Sequence, residues 1–145
     1  MAVREIAATR TIPATAEQIF GLLTDPAQHP VIDGSGMVRA VRPGGARRLT
    51  LGSKFGMDMR MGVPYRIENT VVEFEENRLI AWRHFFGHRW RWLLTPLPDG
   101  RTEVTETFDW STARIPRLID VSPFPRKNRA GIEKSLDRLA GLFSQ

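Results

Sequence analysis

Glu106 is the side chain of this sequence best placed to do chemistry, because it shares a strand face with aromatic rings. Val104, Glu106, Phe108 and Trp110 alternate with Glu103, Thr105, Thr107 and Asp109, the period-two pattern of a β-strand whose faces meet different surroundings. Two preceding segments alternate in the same way: Ile80, Trp82 and His84, then Trp90, Trp92 and Leu94, with Arg83, Arg89 and Arg91 on the opposite face. A carboxyl among indoles is costly to bury unless it is paired or protonated. Burial raises its pKa, which makes Glu106 a candidate general acid–base group or a hydrogen-bond donor to a ligand carbonyl. An ion pair with an arginine of the first strand or the final helix is the structural alternative. His84, the second catalytic candidate, shares the face at about 10 Å for strand spacings near 4.8 Å. That is too far for a direct dyad and near enough for both to touch one ligand.

Other polar groups have weaker cases. His29 and Asp33 fall in a short helical stretch before Gly34, where proton transfer at an entrance and plain turn-capping are both consistent with the residue types. Tyr65 heads a strand and offers a hydroxyl. No phosphate loop, Ser/His/Asp order or metal-ligand cluster is present. With no cysteine and only three histidines, neither a structural zinc site nor a cofactor is expected.

The elements that must position these residues follow from the same patterns. Residues 3–12 read as a first strand, broken by Pro13. Thr15 and Gln18 form a capping-box pair that opens a helix carrying Ile19, Phe20, Leu22 and Leu23 and stopped at Asp25-Pro26. A short helical turn and a Gly-rich turn occupy residues 27–36, and strands follow at 37–43 and 53–61. In the second of these, Phe55, Met57, Met59 and Met61 face one way. Tyr65 to Glu75 forms a longer strand with Tyr65, Ile67, Asn69 and Val71 on one side, and a change of apolar phase at Val72 and Phe74 predicts a bulge. Hairpin loops of three residues at 86–88 and 98–100 keep every apolar position on one face. They predict two cross-strand rows, Trp82–Trp92–Glu106 and His84–Trp90–Phe108. A Pro-punctuated segment then leads to a helix of about 15 residues whose Ile132, Leu136, Leu139 and Phe143 share a face.

At 145 residues the chain is expected to form one domain over its whole length, 1–145, large enough for a core or a hollow one. No apolar run approaches the ~18 residues of a membrane span. The start, MAVREIAATR, lacks the layout of a signal peptide, so a cytoplasmic location is expected. The net charge of +5 is mostly arginine. In Arg89-Trp90-Arg91-Trp92 the alternation separates the cations from the rings, so they do not make one stacking platform, and nucleic acid is not the expected partner. Monomer and homodimer both remain open, with residues 37–43 as an edge able to pair.

The order of elements and several strings resemble the SRPBCC superfamily, the helix-grip fold shared by START lipid-transfer domains, the birch-pollen allergen group and aromatic polyketide cyclases. The polyketide cyclase/dehydrase-like single-domain proteins are the nearest match. The strings are Ile12-Pro13-Ala14-Thr15, Phe20-Gly21-Leu22-Leu23-Thr24-Asp25, His29-Pro30-Val31-Ile32-Asp33-Gly34, Ile80-Ala81-Trp82, Thr105-Glu106-Thr107-Phe108-Asp109-Trp110 and the closing helix. None of them is a catalytic fingerprint. The resemblance implies an α+β fold in which a curved seven-stranded antiparallel sheet wraps a long C-terminal helix, with two short helices after the first strand. It also implies an apolar cavity entered between the small helices and the hairpin loops. Its walls would be Ile32, Asp33, Phe55, Met57, Met59, Met61, Tyr65, Ile67, Ile80, Trp82, His84, Trp90, Trp92, Glu106, Phe108, Trp110, Ile132, Leu136 and Leu139. The implied guest is a hydrophobic small molecule, aromatic polyketide-like or lipid-like. Two functions are consistent with that: ligand binding without chemistry, and a cyclase or dehydratase in which Glu106, His84 or Tyr65 handles enolisation and water loss.

Overall fold

Pro13 ends the first strand and Thr15 starts the first helix. In the computed structural model, which describes residues 3–143, β1 (Glu5–Ile12) is followed by α1 (Ala16–Leu23). The Thr15 hydroxyl accepts from the Gln18 N–H at 3.2 Å, and the Gln18 side chain accepts from the Thr15 N–H at 3.0 Å. A 3₁₀ turn (Pro26–Gln28) and α2 (His29–Ile32) then lead into β2 (Val38–Val41), β3 (Lys54–Met61), β4 (Val63–Glu75), β5 (Leu79–Arg83), β6 (Arg89–Pro96) and β7 (Thr102–Asp109). All neighbouring strands run antiparallel in one seven-stranded sheet of order β1-β7-β6-β5-β4-β3-β2. A short helix α3 (Pro116–Asp120) and the long α4 (Phe124–Phe143) close the chain. This is the expected α+β helix-grip architecture.

The bulge predicted near Val72 is present as a register shift between Val71 and Glu73. The second hairpin is also as predicted, with Trp92 opposite Glu106 and Trp90 opposite Phe108. The first hairpin differs. Trp82 lies opposite Trp90 and Ile80 opposite Trp92, so the rows are Ile80–Trp92–Glu106 and Trp82–Trp90–Phe108. The turn is centred on Phe85-Phe86, where the Gly87 N–H donates to the His84 carbonyl at 2.9 Å. Gly87 takes φ +90°, and a Cβ there would lie 2.5 Å from the Thr112 carbonyl oxygen. This tether to the segment after β7 draws residues 84–88 into the loop and ends β5 at Arg83. Side-chain parity survives the slip; strand partners do not.

α4 is longer than the predicted 15 residues, spanning 20. Its first turns carry Arg126, Lys127 and Arg129, which give no apolar period to read, and Pro125 near its start is the tolerated position for proline. α3 leaves no readable period for a similar reason: it is short and begins at Pro116. It is held by its last residue, since Asp120 accepts from the Trp110 indole at 2.7 Å and from the Arg4 guanidinium at 3.0 Å.

The turn after α2 clasps α4. The Gly34 N–H donates to the Ser135 hydroxyl at 2.8 Å, and a Cβ on Gly34 would meet Lys134 Cβ at 2.4 Å and the Ser135 nitrogen at 2.5 Å. Gly34→Ala must therefore push the two elements apart. It is expected to destabilise the protein by roughly 1–3 kcal/mol, the usual range for overpacking, read as a lowered midpoint in urea unfolding. An unchanged midpoint would show that the clasp is loose.

Candidate functional site

The concave face of the sheet is filled at one end and hollow at the other. α1 plugs the filled end, where Ile19, Phe20 and Leu23 join Ile12, Ile80, Leu94, Val104, Leu136 and Leu139 in one buried cluster. The Phe20 and Phe74 rings meet there at 5.5 Å. Beyond that plug lies a cavity of about 840 Å³ between the sheet, α2, α3 and α4, a size typical of small-molecule sites (~300–1,000 Å³). β3 runs from its closed end to its mouth: Phe55 and Met57 are each 1% exposed, whereas Met61 is 51% exposed. The rim is apolar and exposed, with Val63, Phe85, Phe86, Ile115 and Leu118.

At the closed end the polar groups are few. Glu106 is 6% exposed, and its Oε1 has no hydrogen-bond partner among the described residues. Burial, followed by repulsion from the nearby Asp33 carboxylate, pushes Glu106 well above the usual carboxylate range, which favours its protonated form. No arginine of β1 or α4 pairs with it; Arg10 instead reaches Asp137. Asp33 is held as a turn-former, its carboxylate accepting from the Ser35 hydroxyl at 2.8 Å and the Val38 N–H at 3.2 Å. His29 is not at an entrance. Its ring stacks on Trp82 at 4.7 Å and meets Phe55 edge-on at 5.2 Å, and its Nε2 lies 2.8 Å from the Leu23 carbonyl. That contact requires the Nε2–H tautomer as donor. Burial lowers the His29 pKa to about 4.

His84 sits with the mouth, not with Glu106. It lies in the loop, packed edge-on against His88 at 4.4 Å and against Phe86 at 5.6 Å. Burial lowers its pKa, while burial and the neighbouring His84 lower that of His88 to about 4. His88 covers Phe108 at 5.2 Å. The loop is anchored by the Thr112 hydroxyl, which donates to the Gly87 carbonyl at 2.6 Å, and by the Arg114 N–H on the Phe86 carbonyl at 2.7 Å.

The cavity brings together Ile32, Asp33, Phe55, Met57, Met59, Met61, Tyr65, Ile67, Trp82, His84, Trp90, Trp92, Glu106, Phe108 and Ile132. Four other expected wall residues are buried but do not line it, and these are corrections. Ile80 pairs with Phe74 beneath α1. Leu136 and Leu139 lie one and two turns further along α4, in the filled end. Trp110 stands past the end of β7, its N–H drawn to Asp120 and its ring stacked on Phe108 at 5.4 Å. Sequence reasoning missed His88 as a wall because it was placed inside a shorter loop. Asn69 was missed although it shares the alternation of Tyr65 and Ile67; it is buried and lines the cavity. The rim residues of α3 lay in a segment with no readable period.

These ionisations make stability depend on pH in opposite directions. Between pH ~6.5 and ~4, His29 is neutral when folded and charged when unfolded. With a folded pKa of about 4, its contribution is complete above pH ~6.5 and is lost as the pH falls through that window. At ~1.4 kcal/mol per pKa unit, His29 alone is worth roughly 3 kcal/mol. Glu106, shifted upward, contributes stability below the ordinary carboxylate pKa and loses it as the pH rises. Urea unfolding across pH 4–8 should show His29→Phe flattening the acid limb and Glu106→Gln gaining on the wild type as the pH rises. Variants that track the wild type in parallel would contradict both assignments.

A family model described as polyketide cyclase / dehydrase and lipid transport matches residues 3–143. Two Mycobacterium tuberculosis proteins, Rv0088 of strain H37Rv and MT0096 of strain CDC 1551, are each 37% identical to this chain over 139 residues, covering 92% of it and 62% of the relative. The chain thus spans about three-fifths of the length of the curated relatives it matches. Among solved structures, protein CV1439 from Chromobacterium violaceum aligns with a TM-score of 0.74 at 19% identity, covering 97% of this chain and 98% of that one. The Aha1 dimer from Colwellia psychrerythraea aligns with a TM-score of 0.69 at 17% identity, covering 99% and 96%. At such identities the structural likeness speaks for the fold alone. The family match over nearly the whole chain, together with a sheet that grips its C-terminal helix, makes this protein a member of the polyketide cyclase/dehydrase and lipid-transport family of the SRPBCC superfamily.

Proposed function

We propose that this protein binds a hydrophobic small molecule, flat and aromatic or lipid-like, in the cavity between the sheet and α4. The cavity itself carries the reading: about 840 Å³, walled by Phe55, Met57, Trp82, Trp90 and Phe108 and open through an apolar rim. An enclosed apolar volume of this size gains its affinity from buried ligand surface, at about 25 cal/mol per Å² before ordering costs are met. The family description, which includes lipid transport, supports the same reading. Because Trp82, Trp90 and Trp92 line the space, ligand entry should quench intrinsic fluorescence saturably. Native mass spectrometry of freshly purified protein should also reveal a co-purifying guest. A panel of fatty acids, sterols and aromatic polyketides that leaves the fluorescence unchanged would overturn the proposal.

One observation favours a second reading, that of a polyketide cyclase or dehydratase. Glu106 is a protonatable carboxyl with a free oxygen beside the cavity. Such a group can protonate a ligand carbonyl oxygen or return a proton during enolisation and loss of water. On this reading Glu106→Gln abolishes turnover of a poly-β-keto substrate while retaining its affinity. Equal turnover in variant and wild type would remove Glu106 from the chemistry.

A further inference from the structure

Two facing residues of the cavity wall each bury a polar atom without a partner. Glu106 Oε1 and Trp92 Nε1 are both buried without a hydrogen-bond partner among the described residues. Trp92 is 4% exposed, and the two residues sit directly opposite one another across β6 and β7. Opposed residues on neighbouring strands hold their Cβ atoms about 4.5–5.5 Å apart, and both side chains line the cavity. Of the other buried polar groups, the His29 ring is satisfied by the Leu23 carbonyl and the Trp110 indole by Asp120, while His88 Nδ1, at the mouth, also lacks a partner among the described residues.

We propose that Trp92 and Glu106 form a two-donor site that takes a neutral oxygen acceptor of the ligand, a ketone or aldehyde carbonyl above all, and rejects carboxylates. The inference rests on the reading that the cavity binds a hydrophobic ligand, and it names the chemical class of that ligand's deep end. An indole N–H can only donate, and a protonated carboxyl adds an O–H donor. A carbonyl oxygen has two lone pairs and can accept from both. An orphaned buried donor carries a desolvation penalty of ~1–3 kcal/mol, which a fitting acceptor removes.

The charges around the site select against anions. The charge that acts on Glu106 is that of Asp33, which repels negative charge there. Two cations border the cavity, and both are turned away from its closed end. The Arg66 side chain is 71% exposed and lies 3.7 Å from Asp58, and the Arg114 guanidinium donates to the Phe85 carbonyl in the rim loop. His29 is neutral with its Nε2 engaged, and His88 belongs to the mouth. A carboxylate reaching Trp92 would therefore be buried beside a second carboxyl group with no cation to compensate it, a severe penalty.

Three naphthalenes of similar shape test this by isothermal titration calorimetry at pH 7: 2-acetylnaphthalene, 2-naphthoate and 2-ethylnaphthalene. The ketone should bind at least ten-fold more tightly than the carboxylate, and several-fold more tightly than the hydrocarbon. Trp92→Phe, which keeps the ring and removes the N–H, and Glu106→Ala should each bring the ketone towards the affinity of the hydrocarbon. Glu106→Gln, which retains an N–H donor, should largely preserve it. If the carboxylate matches the ketone, or if Trp92→Phe and Glu106→Ala leave ketone affinity unchanged, the two-donor site is overturned while the binding cavity stands. If none of the three binds, the two-donor site falls, and the cavity reading falls with it only where the fluorescence panel of fatty acids, sterols and aromatic polyketides is blank as well.

Discussion

One helix cannot cover the face of a seven-stranded sheet. Strands ~4.8 Å apart make a sheet about 30 Å wide, whereas an α-helix with its side chains is about 10–12 Å across. The sheet of this protein therefore curves around α4 and still has apolar face to spare. α1 takes part of it, seating Ile19, Phe20 and Leu23 against the end where Ile80, Leu94 and Val104 lie. The remainder has α2, α3 and the upper turns of α4 around it but nothing that fills it, and that remainder is the cavity. The hollow is a consequence of covering area and not of a missing side chain. This explains why its walls are large residues (Phe55, Trp82, Trp90, Phe108) and not the small ones that would leave space in an ordinary core.

The two faces of the sheet handle charge in opposite ways. On the outer face Glu73 accepts from Arg89 at 2.9 Å and from both ends of the Arg91 fork at 2.8 and 2.9 Å. The Arg91 bonds and those of Arg89 hold its carboxyl below the usual range. On the inner face Glu106 has no such partner and is pushed up. Two carboxyls of one sheet, on opposite faces, thus end with opposite tendencies, set by whether a guanidinium is in reach. The alternation Arg89-Trp90-Arg91-Trp92 makes that separation unavoidable, because it sends every cation of β6 outward and every indole inward.

Much of this was legible in the sequence. Alternation located β3, β5, β6 and β7 and placed Glu106 on the aromatic face, and the capping pair Thr15 and Gln18 fixed the start of α1. What alternation cannot supply is register, since a slip of two residues keeps every side chain on its face. The slip in the first hairpin was set by Gly87 meeting Thr112, a contact between residues distant in sequence. That slip took His84 away from Trp90 and out of the neighbourhood of Glu106. The division of the apolar face into core and cavity was likewise illegible. Ile80 and Trp82 have the same pattern in sequence, and only the position of α1 buries the first in the filled end and leaves the second facing the hollow. α3 was hidden because a five-residue helix held by Asp120 leaves no period to detect.

The loop slip also changes what the site can do. In the register expected from the sequence, His84 shares the face of Glu106 from two strands away, too far for a dyad but near enough for both to touch one ligand. With His84 and His88 packed together at the mouth and both shifted downward, the closed end keeps the Glu106 carboxyl, shifted towards its protonated form, with the Trp92 indole on the neighbouring strand. Any reaction there must draw its acid and base from Glu106, from Asp33 or from the ligand itself, and must derive the rest of its acceleration from orientation against aromatic walls. Binding makes no such demand, since two donors and an apolar wall are sufficient to hold a carbonyl-bearing guest. On the proposed binding reading, chemistry is conditional on what the guest brings.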